Sequence, residues 1–185
     1  MTIKSDLWIK EMAVKKNIIE PFEDDQVRKG IISFGLSSYG YDIRIDNEFK
    51  IPDATDSSLI DPKNFNISSF TSIKADHCII PSHSYVLGKS VEYFKLPRNI
   101  FTLCFGKSTY ARCGVVVNIT PLEPEWEGYI TMAVCNTSGR PVKLYSREGI
   151  AQIVFLESND VCLTSYADKK GKYQAQKKLT VAKID

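Results

Sequence analysis

The segment from Gly106 to Arg112 concentrates side chains that can bind phosphate. It reads Gly-Lys-Ser-Thr-Tyr-Ala-Arg, so a glycine, a lysine, two hydroxyl groups and an arginine fall within a few positions. An arginine can form a two-pronged hydrogen bond to phosphate, a lysine adds a point charge, and hydroxyl and main-chain N–H groups can complete the contacts. These residue types predict an anion site, although an exposed basic turn has the same composition.

Three glutamates follow this segment at alternating positions: Glu123, Glu125 and Glu127. Alternating acids in a turn usually form a solvated rim, because carboxylates are rarely buried without a partner. A structural alternative for Arg112 is an ion pair with Glu123 or Glu125. We expect Trp126, which lies among these acids, in the core or at an interface rather than as a platform for base stacking.

The composition limits the classes of partner. The chain has 185 residues, 43% of them apolar, which suits one well-buried core and is short for two. It carries 24 Lys and Arg against 22 Asp and Glu, a formal net charge of +2, so an anion site must be local. We expect neither nucleic acid nor membrane as a partner. Without a bilayer-length apolar run or a signal peptide, a cytoplasmic location is the default.

The elements that must position these residues are mostly strands. Ser5 or Asp6 can cap a helix that ends near Lys16, and Pro21 ends that region. Four apolar residues are expected on or near one face of the helix: Leu7, Trp8, Met12 and Val14. Beyond it, strands are predicted at 41–49, 78–81, 85–93, 101–105, 115–120, 129–136, 142–145 and 151–157. Many short strands with Gly- and Pro-rich turns predict a sandwich or barrel.

Two segments have the composition of loops. Residues 51–70 are rich in Pro, Asp, Ser and Asn, which predicts a long surface excursion. The tail from Ala167 onward is rich in Lys, Gln and Gly, and its composition alone favours a frayed terminus. No internal repeat or linker interrupts the chain, so we expect a single domain over residues 1–185.

Four parts of the sequence carry a family resemblance. They are Ser-Ser-Tyr-Gly-Tyr-Asp-Ile-Arg at 37–44, the stretch 106–128, Asn136 with Pro141 and 148–155, and Ser165-Tyr166 with Gly-Lys-Tyr-Gln-Ala-Gln at 171–176. In this order they resemble the deoxycytidine triphosphate (dCTP) deaminase family of the trimeric dUTPase-like superfamily. The resemblance implies a mainly β fold, a distorted jelly-roll or β-clip with a short N-terminal helix. It also implies a homotrimer with active sites shared between subunits, and a closing tail at about 167–185.

The resemblance assigns roles to individual residues. Ser108 and Arg112 match the serine and arginine that the family keeps beside its catalytic carboxylate and water. Glu123 matches an acid near the sugar or the attacking water, and Gln152 a glutamine near the phosphates. The tail residues that would fold over the nucleotide are Tyr166, Lys172 and Gln176. The full predicted substrate-binding set is Lys107, Ser108, Thr109, Tyr110, Ala111, Arg112, Glu123, Thr131, Met132, Ala133, Gln152, Tyr166, Lys172 and Gln176.

Position 133 departs from the family pattern. The family reads Thr, an aliphatic residue and Glu here, with Asn three places later, whereas this chain reads Thr-Met-Ala at 131–133, with Asn136 in place. The family's glutamate takes the proton from water as it attacks C4 of cytosine and passes protons toward ammonia. A methyl group cannot do this, and losing a general base typically reduces the rate by ~10²–10⁴-fold. Either the glutamate was deliberately replaced by alanine, or the natural protein has lost the deaminase step or carries it out with another group.

A zinc-dependent reaction is poorly supported. Zinc nucleobase deaminases need a His or Cys together with a Pro-Cys-x-x-Cys motif, because three protein ligands hold the metal that activates water. The chain has no Cys-x-x-Cys, and its only histidines are His77 and His83. Its five cysteines are odd in number and widely spaced, so we expect reduced, mainly buried thiols rather than disulfides.

The leading functional prediction is a zinc-free dCTP deaminase that converts dCTP and water to dUTP and ammonia for dUMP and dTTP precursor synthesis, with an impaired Ala133 form. Mg²⁺ would accompany the triphosphate, with no metal ligand from the protein, and dTTP is a candidate regulator. A second hypothesis keeps the fold but releases pyrophosphate from dUTP, alone or after deamination. A third, which a natural Ala133 would favour, is a non-catalytic nucleotide-binding homologue.

Overall fold

The computed structural model describes residues 1–53, 55–56 and 58–183 and confirms a mainly β fold with one short N-terminal helix. The elements in chain order are β1 (Thr2–Ile3), α1 (Asp6–Lys16), β2 (Ile19–Glu20), β3 (Gly35–Ser37), β4 (Gly40–Pro52), a 3₁₀ turn (Ile67–Ser69), β5 (Phe70–Lys74), β6 (His77–Ile80), β7 (Tyr85–Lys95), β8 (Ile100–Gly106), α2 (Ser108–Ala111), β9 (Val115–Asn118), β10 (Glu127–Asn136), β11 (Val142–Tyr145) and β12 (Gly149–Glu157). Every strand predicted from sequence is present; β11 has the predicted ends, and each of the others is shifted at one end or both. Ala54 and Ser57 of the predicted surface excursion, and residues 184 and 185 of the predicted tail, lie outside the described residues.

A long antiparallel sheet dominates the described part of the chain. Its strands follow the order β1-β12-β4-β7-β10-β9, while β3 and β5 also pair with β4, β8 with β12, and β2 with β7. β6 and β11 form a separate pair. β4 pairs with β12 near its start and with β5 and β7 toward its end, and the register shifts between Ile45 and Phe49. One strand therefore belongs to both parts of the sheet, which curls around a common core.

The helix α1 covers one side of that core with Ile9 and Ala13, which are both buried. The prediction that Leu7 and Val14 share the packed face is wrong, since they are 75% and 70% exposed. At about 100° per residue, positions seven apart lie on the same face, and that face is opposite Ile9. Trp8 does pack inward, with its ring centroid 6.1 Å from that of Phe155.

The five cysteines are free thiols. Cys78 is buried, but Cys113 is exposed and the other three are half-buried, so the thiols are less uniformly buried than predicted. Burial raises the pKa of Cys78 to about 11 and that of Cys104 to about 12, which keeps both protonated near neutral pH. No helix in the described ranges is long and apolar enough to cross a membrane.

A buried ion pair joins β4 to β7. The Glu92 side chain has no exposed surface, and its carboxylate accepts hydrogen bonds from the Arg44 main-chain N–H (3.0 Å) and from Arg44 Nε (2.7 Å). The Arg44 guanidinium also lies 4.4 Å from the centroid of the Phe34 ring. Burial raises the pKa of Glu92, and the Arg44 charge opposes that rise. The pair thus ties the strand that carries residues 40–44 to the strand beside β10.

We expect Glu92→Ala to lower the free energy of unfolding by about 3 kcal/mol, the low end for breaking a buried pair. The variant removes the closer carboxylate from the buried Arg44 guanidinium and leaves only that of Glu23, whose Oε1 lies 3.5 Å from Nη1 on a partly exposed side chain. Urea unfolding followed by circular dichroism measures this change. Glu11→Ala is the control, since Glu11 pairs with Lys15 on the exposed surface of α1, and it should be indistinguishable from the parent. Equal stability of the two variants would contradict a structural role for the buried pair.

Candidate functional site

A cavity of about 430 Å³ opens on one face of β10. The even-numbered side chains of β10 are buried in the core, whereas its odd-numbered side chains are half-buried on the opposite face. Thr131 and Ala133 therefore both face the cavity. The described residues that line it are Phe65, Tyr85, Leu87, Asn118, Ile119, Thr120, Pro121, Leu122, Glu123, Trp126, Ile130, Thr131, Ala133, Tyr166, Tyr173, Gln176, Thr180, Val181 and Ala182.

Strand register fixes the surroundings of Ala133. In the sheet it lies opposite Leu87 of β7 on one side and opposite Asn118 of β9 on the other. Its neighbours across the strands are thus an aliphatic side chain and a neutral amide. Tyr85, further along β7, is a phenol whose pKa burial raises, with a smaller contribution from Cys135. None of these groups replaces a carboxylate as a proton acceptor near neutral pH.

Glu123 is the only carboxylate among the described lining residues. Its Oε2 accepts a hydrogen bond from Lys169 Nζ at 2.8 Å, so it is tied to the C-terminal tail. The alternative in which Arg112 pairs with Glu123 or Glu125 is wrong, because Glu125 pairs with Arg98 instead. Glu123 therefore lies at the cavity, with its charge partly neutralised by Lys169, and its predicted place near the sugar or the attacking water stays a prediction.

The tail covers this cavity and is not a frayed terminus over the described residues. Gln176 joins it to β10: its main-chain oxygen accepts from the Tyr129 N–H at 3.0 Å, and its Nε2 donates to the Tyr129 main-chain oxygen at 2.6 Å. Gly128 permits this close approach, since its φ is +143° and a Cβ there would lie 3.0 Å from Gln176. Further on, the Thr180 N–H donates to Thr131 Oγ1 at 3.3 Å.

An aromatic group holds the start of the tail. The ring of Tyr166 packs against Gly171, where a Cβ would collide with it, so a larger residue would displace the ring. The hydroxyl of Tyr166 accepts from the Tyr173 N–H at 3.2 Å, and Trp126 Nε1 donates to the Tyr173 main-chain oxygen at 3.1 Å. Trp126 is therefore buried, as expected for a core residue, and it also forms part of the cavity wall.

The predicted phosphate-binding segment lies away from this cavity. Residues 107–112 do not appear among its described lining residues. Lys107 Nζ pairs with the Asp42 carboxylate, and Arg112 Nη1 donates to the Ser108 main-chain oxygen at 2.9 Å. Gln152, which also lies outside the lining, donates from Nε2 to Ser37 Oγ at 2.9 Å. Ser108, Thr109, Ala111 and Arg112 are exposed.

Three predicted binding residues have side chains directed elsewhere. Met132 is fully buried in the core, so only its main chain can reach a ligand at the cavity. Tyr110 is buried, and its hydroxyl accepts from the Tyr145 N–H at 3.0 Å. Lys172 is exposed, with its Nζ 5.5 Å from the centroid of the Tyr173 ring. The structure thus divides the predicted site into a cavity group and a separate segment.

Sequence reasoning missed several cavity residues. Tyr85 and Leu87 come from β7, and their place could be predicted only from the pairing of β7 with β10. Phe65 comes from the predicted surface excursion, where its ring lies 5.4 Å from that of Phe70. Asn118 follows the apolar run of β9, and its polar side chain at the end of a strand was the one available signal.

Comparison with known proteins gives consistent results. A family model described as dCTP deaminase-like matches residues 3–158. The dCTP deaminases of Acidobacterium capsulatum and Nautilia profundicola are 55% and 56% identical to the chain over 184 and 186 residues, and the alignments cover 100% of both partners. The crystal structure of 2'-deoxycytidine 5'-triphosphate deaminase from Agrobacterium tumefaciens matches with a TM-score of 0.64 at 10% identity, over 84% of this chain and 48% of that one. At that identity the match shows the fold alone.

The backbone of the tail is strained at Ala175. Ala175 is exposed and has a φ of +52°, a conformation that favours glycine, while its N–H donates to the Glu127 oxygen at 2.9 Å. Ala175→Gly should stabilise the packed tail by about 1 kcal/mol and slow trypsin cleavage after the exposed Lys177 and Lys178. Ala167→Gly, at a position without positive φ, is the control and should not slow it. Faster cleavage of the Ala175 variant would count against this strain.

Proposed function

This chain belongs to the dCTP deaminase-like family, and from that premise we propose that its cavity binds the cytosine nucleotide dCTP beneath the tail. The reaction of the family is the hydrolysis of the C4 amino group, in which dCTP and water give dUTP and ammonia. We propose that this chain retains the binding part of that activity and is impaired in the chemical step. The observation that carries this proposal is Ala133 in the cavity wall.

The impairment follows from the proton transfers that hydrolysis requires. Water must lose a proton as its oxygen adds to C4, and the amino group must gain one before ammonia leaves. The resemblance assigns both transfers to a carboxylate at position 133, where this chain has a methyl group. Glu123 is the one carboxylate among the described lining residues, and Lys169 holds it. The described part of the cavity therefore lacks an unpaired carboxylate for this task.

The cavity does contain side chains that could bind a nucleotide base. Trp126, Tyr166 and Tyr173 provide aromatic surface at the cavity, and Thr131 provides a hydroxyl. The Oε1 atom of Gln176 is buried without a hydrogen-bond partner among the described residues. Because this oxygen has no exposed surface, a ligand N–H or O–H group could pair with it only if the tail moved. The packed tail would shield such a ligand from water.

The charge of the triphosphate supports a shared site. No Lys or Arg occurs among the described residues that line the cavity, although a triphosphate requires cationic partners. Ser108 and Arg112 are exposed and lie outside the lining of their own chain's cavity. We propose that a second copy of the chain, in a homotrimer, supplies residues 107–112 to the cavity. Symmetric assemblies with sites between subunits meet this requirement without further elements.

Mg²⁺ enters this proposal as part of the substrate. Within the described residues, no three His, Cys, Asp or Glu side chains are grouped so that they could hold a metal. Bound Mg²⁺ neutralises the triphosphate and fixes its shape. The residues of this chain would then contact the nucleotide directly, through Arg112, Ser108 and the cavity wall.

A second candidate function is pyrophosphate release from dUTP. Glu123 favours it, because a carboxylate at the cavity could orient water toward the α-phosphate. A third is nucleotide binding without turnover, which Ala133 favours. Measurement of ammonia, pyrophosphate and nucleotide binding on one preparation distinguishes the three functions.

Ala133→Glu should raise the rate of ammonia release by at least ~10²-fold, the lower range for a positioned general base. Partial burial beside Leu87 would raise the pKa of the new carboxyl group, which suits transfer of protons in both directions. Ala133→Gln is the matched control, because it has the same size without a proton acceptor, and it should remain inactive. Ammonia release by the unaltered chain at the rate of the glutamate variant would refute the proposed impairment.

Subunit mixing tests the shared site. The double variant Ala133→Glu, Arg112→Ala should be inactive alone, because it restores the base but removes the arginine. The double variant is then mixed with an equal amount of the unaltered chain and the subunits are reassembled. The mixture should show about one quarter of the Ala133→Glu activity. In random assembly, that fraction of interfaces joins a cavity with the restored glutamate to an intact Arg112. No recovery after verified subunit exchange would mean that each site uses its own chain's Arg112.

A further inference from the structure

The carboxylate of Asp42 links three separate parts of the chain. Asp42 lies on β4 and is 4% exposed. Its Oδ2 accepts hydrogen bonds from Gln26 Nε2 at 2.6 Å and from Lys107 Nζ. Gln26 is itself oriented by Arg28, whose Nε donates to Gln26 Oε1 at 3.1 Å. The loop before β3, the strand β4 and the start of the phosphate-binding segment thus meet at one buried oxygen.

The strand side of this contact is rigid. In the sheet Asp42 lies opposite Gly35 of β3 and opposite Gln152 of β12, so neighbouring strands flank it on both sides. On the segment side there are two anchors, Lys107 and Tyr110, and Tyr110 is buried with its hydroxyl accepting from the Tyr145 N–H at 3.0 Å. Lys107 is held by its main-chain N–H, which donates to the Ile150 oxygen at 2.9 Å, and by its side chain, while Ser108 and Arg112 beyond it are exposed. Asp42 is therefore a fixed point on the sheet, and Lys107 connects the start of the phosphate-binding segment to it.

The two cationic side chains of the segment, Lys107 and Arg112, differ in whether their charge is already paired. The Lys107 side chain is only 13% exposed, and its ammonium group is neutralised by Asp42. Arg112 is exposed, and its guanidinium makes a single hydrogen bond, to the Ser108 main-chain oxygen, among the described residues. Lys107 is thus committed to the strand, whereas the fork of Arg112 retains donors for an incoming anion.

We propose that Asp42 is a positioning residue for nucleotide binding. It acts through Lys107, which it anchors, and so sets where Ser108 and Arg112 stand when they meet the triphosphate. This inference rests on the proposed function for its ligand. The anchoring itself is a property of the chain without ligand, and the experiment measures it separately.

The test is a double-mutant cycle of Asp42→Asn, Lys107→Met and the two together, with two measurements. The first is the rate of trypsin cleavage after Arg112 without nucleotide. Each single variant should be cleaved several-fold faster than the parent, and the double variant no faster than Lys107→Met, because Asp42 acts through Lys107. The second is the Kd for dCTP with Mg²⁺ by calorimetry. Asp42→Asn should weaken binding by about tenfold, the loss expected for a charge-assisted hydrogen bond, with no further loss in the double variant.

Glu157→Gln is the matched control. Glu157 also accepts from a lysine and an amide, Lys4 and Asn99, but at the far end of β12. It should leave both the Arg112 cleavage rate and the dCTP affinity unchanged. Urea unfolding of all variants shows whether each one is folded under the conditions of the two measurements.

The outcomes separate the two proposals. Parent-like cleavage and affinity in a folded Asp42→Asn, or effects of the two substitutions that multiply, would overturn the positioning role. If the unaltered chain fails to bind dCTP while cleavage shows the predicted coupling, the proposed function fails and the anchor is confirmed. A Glu157→Gln variant that matches Asp42→Asn in both measurements would make the effect general to acids that pair with a lysine and an amide, and would also overturn it.

Discussion

The pairing of β10 with β7 on one side and β9 on the other is the constraint on which the rest of the site depends. Because side chains alternate along a strand, this pairing sends Met132 and Val134 into the core and turns Thr131 and Ala133 toward the cavity. A shift by one residue would exchange the two sets. The packing of buried side chains such as Ile130 and Met132 therefore fixes what a ligand meets, down to the methyl group of Ala133.

The cavity and the segment 107–112 differ in their charged side chains. The cavity is mainly aromatic and aliphatic, and its described lining offers one carboxylate and no cation. The cations with suitable chemistry lie in the segment 107–112, where Lys107 is already neutralised and Arg112 is exposed. A nucleotide such as the proposed dCTP, with a flat base that can stack and a triphosphate that needs cationic partners, would use both regions. The proposed shared site, in which one copy contributes the cavity and another the segment 107–112, rests on this division.

The sequence predicted eight of the twelve strands in the described residues and missed four short ones, β1, β2, β3 and β5. Each predicted strand exists, because alternating apolar residues between Gly- and Pro-rich turns report burial locally. The prediction of the packed face of α1 was partly wrong, since Leu7 and Val14 are apolar but lie opposite Ile9. Apolar periodicity over only eleven residues is a weak guide to the buried face of a helix. The assigned roles of Ser108, Arg112 and Glu123 remain predictions. The structure places Glu123 at the cavity and the other two outside its described lining.

The remaining features depend on contacts between distant residues. The Asp42–Lys107 pair joins positions 65 apart in the chain, and neither residue carries a local signal for the other. Tyr85 and Leu87 enter the site through strand register. Composition alone favoured a frayed tail, whereas the main chain and the side-chain amide of Gln176 each form a hydrogen bond with the Tyr129 main chain and hold the tail in place. Composition reports side chains, but hydrogen bonds of the main chain depend on the whole fold.

The most direct test is the fate of the bound nucleotide. The unaltered chain is incubated with dCTP and Mg²⁺, the complex is separated from free nucleotide, and the nucleotide released on denaturation is identified by chromatography. Our account predicts that the chain retains nucleotide and that it is recovered as dCTP. Recovery as dUTP with stoichiometric ammonia would show that a group other than residue 133 serves as the base. Failure to retain nucleotide would contradict the proposed binding site.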